Sequence, residues 1–197
     1  MRFATLSWQC AVGAFALAFV AAASISTGLS ADELGPPVGT KAPEIGTRLD
    51  QDGKPRSFAD LAGRNGLVLM FNRSAGWCPY CQTQMVQVNG GLAEIEKRGF
   101  RVATLSYDPP DVLKGFAAKR RIGYTLLSDP KSEVIDAYGL RDPQYPAGHR
   151  AHGVPRPITL ILDRNGTILA KLYEENFRVR PPVEAIIAKL DEVGPRG

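Results

Sequence analysis

The apolar run Leu67, Val68, Leu69, Met70, Phe71 constrains this chain more than any other stretch. A continuous run of strand length fits a β-strand buried on both faces, and hence a sheet with helices packed on each side. Directly after it come Trp77, Cys78, Pro79, Tyr80 and Cys81, with Pro79 suited to the first position of a helix. Two thiols therefore sit at a strand-to-helix junction. Such a pair can close a small disulfide ring and reopen it, and the first thiol lies where a helix N-terminus favours its thiolate. This points to redox chemistry more than to scaffolding.

The rest of the chain supplies alternating strands and helices. Asp52-Gly53 is a turn signal between two short extended pieces, and Phe58 and Leu61 mark a turn of helix. A helix is predicted from residue 79 to about 98, interrupted at Gly90-Gly91. Then follow a strand over 100–106, a helix over 111–121, a short strand over 124–127 and a helix over 131–138 ended by Gly139. Residues 158–162 and 167–173 form a hairpin about the turn 163–166, and a last helix runs from Pro181 or Pro182 to Val193. This order predicts an α/β fold with a central sheet flanked by helices on both faces. Residues 142–155 form the one long irregular piece, and such a loop in a compact domain is usually functional or disordered.

The N-terminus has the order of a secretory signal: Arg2, an apolar stretch from Ala11 to Ile25, then small and polar residues before Asp32 and Glu33. The apolar run of about 15 residues is short against the roughly 20 that span a bilayer. The expectation is a leader over residues 1–31, cleaved after Ser30 or Ala31, then one domain over 36–195 in an exported or periplasmic protein. Membrane association is expected only through an uncleaved leader. A net charge of +4, with no lysine-rich run, gives no sign of a nucleic-acid partner.

Of the three cysteines, Cys10 falls in the leader, so Cys78 and Cys81 are the only thiols of the mature chain. A disulfide closing so short a ring removes little entropy from the unfolded chain, which makes stability a poor reason for it. A zinc site would need two further ligands, for which only His149 and His152 are candidates. No metal and no cofactor is assigned.

Trp-Cys-Pro-Tyr-Cys after a buried strand, together with Pro157-Ile158-Thr159-Leu160-Ile161-Leu162-Asp163-Arg164-Asn165-Gly166, resembles the thioredoxin fold. More narrowly, it is similar to the redoxin and AhpC/TSA-like branch, in its exported thiol-disulfide oxidoreductases. The resemblance spans roughly residues 36–193. It implies that Pro157 is a cis proline facing the disulfide, where backbone can pair with a bound protein. Cys78 is then the nucleophile that forms a mixed disulfide, and the more buried Cys81 resolves it. Trp77, Pro79, Tyr80, Arg156 and Pro157 are expected to shape the site. The expected partners are protein or small-molecule thiols and disulfides, with a redox partner that recycles the pair.

Two other readings compete. A thiol peroxidase of the same branch would use Cys78 on peroxide, but such enzymes carry a hydroxyl residue three positions earlier and a nearby proline. Ala75 stands there, Ser74 is one position further back, and Phe71-Asn72-Arg73 has no proline; Arg73 or Arg156 would polarise the peroxide. A Cu(I) carrier would add His149 or His152 to the thiols. Asp108, at the end of the 100–106 strand, is read as a turn residue or as a proton relay to Cys81.

Overall fold

All six residues of β3 (Gly66–Phe71) are buried, as a central strand covered on both faces requires. Alternation divides its side chains. Val68 and Met70 join one core with Met85, Val88, Ile95 and Phe116, whereas Leu67, Leu69 and Phe71 join a second with Leu61, Ile135 and Tyr138. The computed structural model that shows this describes Met1 and residues 33–194, so the expected leader lies, but for Met1, outside the described residues.

β3 pairs in parallel with β4 (Phe100–Ser106), and β4 with β5 (Thr125–Ser128). On its other side β3 pairs antiparallel with β6 (Ile158–Asp163), which returns as β7 (Ile168–Leu172). The hairpin of β1 (Arg48–Asp50) and β2 (Pro55–Arg56) completes a seven-stranded mixed sheet in the order β2-β1-β5-β4-β3-β6-β7. Helices α2 (Pro79–Gly90), α3 (Leu92–Lys97), α4 (Pro110–Arg120) and α6 (Val183–Val193) supply the first core. Helices α1 (Phe58–Leu61) and α5 (Glu133–Ala137) supply the second. The expected α/β architecture, a mixed sheet with helices on both faces, is the one observed.

The interruption at Gly90-Gly91 separates α2 from α3. A Cβ on Gly91 would lie 2.5 Å from the Val183 side chain of α6, so the close approach of a neighbouring helix needs the glycine there.

The long loop closes on itself. Asp142 N–H donates to Val154 O and Arg156 N–H to Leu140 O, with Arg141 and Pro155 bridged antiparallel. Residues 154–156 are thus already extended and run into β6 without reversing. The bond before Pro157 is trans, and no cis peptide occurs among the described residues, which corrects the expectation of a cis proline. An extended entry into a strand is compatible with the ordinary trans bond.

Candidate active site

The site is built where β3 and β4 end, at the carboxyl edge that α/β sheets use for chemistry. The chain leaves β3 at Asn72, turns through 73–77 and enters α2 with Cys78 as its N-cap. Cys78 and Cys81 are joined as a disulfide, their Cα atoms 5.3 Å apart. One turn of helix brings the second sulfur under the first, and the Cys81 amide donates to Cys78 Sγ at 3.3 Å. Neither sulfur is open to solvent: Cys78 is 2% exposed and Cys81 0%. The expected contrast between an accessible nucleophile and a buried partner is therefore slight in this disulfide form.

Asp108, buried just beyond β4, holds the 73–77 turn. Its carboxylate accepts from Ser74 Oγ at 2.7 Å, Ala75 N–H at 2.6 Å and Ser106 Oγ at 2.8 Å. Ser74 Oγ in turn accepts from the Gly76 and Trp77 amides. All the carboxylate's hydrogen bonds run to this framework and none to Cys81, so Asp108 sets the height and direction of the turn that presents Cys78. The Ser74 hydroxyl is engaged in the same network.

Arg73 is the buried cation of the site. Its guanidinium pairs with Asp142 at 3.3 Å and donates to Tyr145 Oη at 2.7 Å. It also lies over the rings of Phe177, Tyr145 and Trp77 at 4.1, 5.1 and 5.7 Å. Arg73 thereby gathers two remote segments, the 142–155 loop and the 173–182 connection between β7 and α6. That connection crosses the front of α2 as a strap: Phe177 meets Tyr80 edge-on, Arg180 Nη2 donates to Cys81 Sγ at 3.4 Å, and Gln84 donates to Pro181 O.

Of the residues expected to shape the site, Trp77 (47% exposed) and Tyr80 (41%) stand at the rim and Pro79 beside them. Trp77 Nε1 donates to Tyr107 Oη at 2.9 Å, and burial holds the Tyr107 phenol above its usual pKa against that donation. With Arg73, Tyr145, His149 and Arg150 these two rings line a cleft of about 530 Å³. Pro157 is buried and borders a crevice with Gln84, Val179, Arg180 and Pro181. Arg156 is exposed and its guanidinium makes no hydrogen bond or ion pair among the described residues; the cations drawn into the interior at the site are Arg73 and Arg180. His149 Nδ1 accepts from Ala151 N–H, while His152 pairs with Tyr145 O and Arg141. Among the described residues no three of His, Cys, Asp and Glu gather as a metal site.

Arg180, Phe177, Tyr145 and Asp142 were not singled out in the sequence. The only signal was positional: Asp142 and Tyr145 lie in the long irregular loop, and Arg180 lies directly before the prolines of the last helix.

A peroxiredoxin-type fold accounts for this arrangement. Peroxidoxin BcpB from Mycobacterium tuberculosis superposes with a TM-score of 0.67 at 23% identity, covering 79% of this chain and 97% of that one. AhpC from Enterococcus faecalis superposes with a TM-score of 0.65 at 19% identity, covering 79% and 90%. In sequence, a Haemophilus influenzae protein bearing the bcp name is 29% identical over 150 residues, 76% of this chain and 93% of that protein. Peroxiredoxin Bcp of Escherichia coli is 30% identical over 119 residues, 60% and 74%. The AhpC/TSA family profile matches residues 38–171. A match over that much of the sequence, on the same fold, makes this chain an oxidoreductase and a member of the AhpC/TSA family.

Proposed function

We propose that this protein is a thiol peroxidase in which Cys78 is the peroxidatic cysteine and Cys81 resolves it. The observation that carries the reading is the Cys78–Cys81 disulfide at the head of α2, in a chain whose relatives bear peroxiredoxin names. The reading that ranked second on sequence is thus the one the relatives favour. The Cys78 thiolate attacks a peroxide oxygen: an S–O bond forms, the O–O bond breaks, and the departing alkoxide or hydroxide takes a proton. Cys81 then displaces water from the Cys78 sulfenic acid to close the disulfide. A thiol reductant reopens it and takes the oxidising equivalents away.

The helix N-terminus and the Cys81 amide supply the thiolate stabilisation that this attack needs. Stopped-flow mixing of the reduced protein with hydrogen peroxide or cumene hydroperoxide tests the reading. A rate far above that of free cysteine is expected, lost in Cys78→Ser, with a trappable sulfenic acid on Cys78 in Cys81→Ser. A rate no faster than free cysteine overturns it.

One observation favours thiol-disulfide exchange on protein substrates as a second reading. No hydroxyl stands at position 75, and that of Ser74 is held by Asp108. Insulin reduction with a dithiol donor distinguishes the two. We also propose export, supported by the N-terminal apolar run, and N-terminal sequencing of the mature protein tests it.

A further inference from the structure

The strap brings a second guanidinium to the redox bond. Arg180 donates through Nη1 to Val179 O at 3.0 Å and through Nη2 to Cys81 Sγ at 3.4 Å, while its Nε has no partner. No carboxylate pairs with it among the described residues. Glu174 borders the same crevice without forming an ion pair, and the neighbouring cation Arg73 takes Asp142. Burial and Arg73 push Arg180 down to about 10, which leaves it cationic at neutral pH. Each sulfur thus has its own donor, the Cys81 amide for Cys78 and Arg180 for Cys81. A disulfide sulfur is a weak acceptor, whereas a thiolate accepts a charge-assisted hydrogen bond. The guanidinium therefore gains most when Cys81 carries a full charge.

We propose that Arg180 is a catalytic residue of the recycling half-reaction, stabilising Cys81 as the thiolate leaving group when an external thiolate attacks Cys78. The incoming sulfur bonds to Cys78 Sγ as the Cys78–Cys81 bond breaks, and the electron pair departs on Cys81 Sγ against the guanidinium. A second thiol of the reductant then displaces Cys78, so that the protein gains two electrons and the reductant leaves as a disulfide. Leaving-group thiols of lower pKa depart faster, and stabilising the reduced form also makes the disulfide easier to reduce. This inference goes beyond the peroxide reading and needs no peroxide.

The test is reduction of the oxidised full chain by dithiothreitol, with the redox midpoint measured against glutathione buffers. Arg180→Met is expected to slow reduction about tenfold and to lower the equilibrium constant for reduction about tenfold, a midpoint about 30 mV more negative. Arg180→Lys, which keeps a charge but not the planar fork, is expected to recover part of both. A Met variant with the parent's rate and midpoint overturns the proposal. So does a Lys variant as impaired as the Met variant, because shape and not charge would then be what Arg180 supplies. An absent peroxide burst leaves these measurements intact, so the two readings fail separately.

Discussion

A buried carboxylate that accepts two hydrogen bonds from one short turn and a third from the neighbouring strand fixes the geometry of whatever that turn presents. Asp108 does this for the 73–77 turn, and with Ser74 it holds four groups at distances of 2.6–2.9 Å. Asp108→Ala would leave the Ser74 and Ser106 hydroxyls and the Ala75 amide without their acceptor in the interior. Stranded buried donors cost about 1–3 kcal/mol each before relaxation, and the expected net loss is ~2–4 kcal/mol. Urea unfolding measures it; a loss below ~1 kcal/mol, within the range of an ordinary hydrogen bond, would mean that the turn re-forms without its acceptor. Arg73 differs, because its single carboxylate partner lies 69 residues away and both are 2–3% exposed. Asp142→Asn leaves an uncompensated buried guanidinium and is expected to destabilise the protein by ~3–5 kcal/mol. Asp142→Asn combined with Arg73→Met is expected to recover part of that loss, and a double-mutant cycle measures the coupling.

At the scale of elements, what the sequence carries is local. The β3 run, the pause at Gly90-Gly91, the Asp163–Gly166 turn and the proline start of the last helix are written in neighbouring residues, and each forms where periodicity and turn chemistry put it. The thiol pair is legible for the same reason, since its geometry is one turn of helix. Arg180 is not, because its bond to Cys81 spans 99 residues and no local pattern encodes it. The trans bond at Pro157 accompanies the pairing of 154–156 with 140–142, a partnership inside a loop that has no periodicity to read. The root of that loop also carries a pH dependence. Arg141 donates to both carboxylate oxygens of Asp136 at 2.6 Å and holds its carboxyl below the ordinary 3.8. Because the folded value lies below the unfolded one, this stabilisation is complete above about pH 4 and is lost as pH falls through the depressed value. The pair is half-exposed, so Asp136→Asn is expected to cost only ~0.5–1 kcal/mol at neutral pH. It should also flatten the acid limb of stability against pH, which urea titrations between pH 2 and pH 7 report.

The whole molecule brings two segments remote in sequence together at Arg73, and one of them onto a bond that the first core already buries. Cys78 is 2% exposed and Phe177 packs on both Arg73 and Tyr80, so displacement of the Phe177 part of the strap, with Arg180 still on Cys81, is expected to open the sulfurs to peroxide or reductant. The strap has no regular structure. It is held by the Phe177 contacts, the Gln84 bond to Pro181 at 3.4 Å and the Arg180 contact with Cys81. Segments with few buried contacts open locally at a free energy well below that of global unfolding. The site is therefore expected to admit reactants through local opening while the sheet stays intact. Phe177→Ala removes the ring that pins the strap to Arg73 and Tyr80. It is expected to raise the rate at which iodoacetamide alkylates the reduced thiols by about tenfold, for ~1.4 kcal/mol of lost anchoring, with little change in the urea midpoint. An alkylation rate that instead tracks global stability across a set of core variants would mean that the thiols are exposed by unfolding of the whole domain. The strap would then be part of the core and not a cover over it.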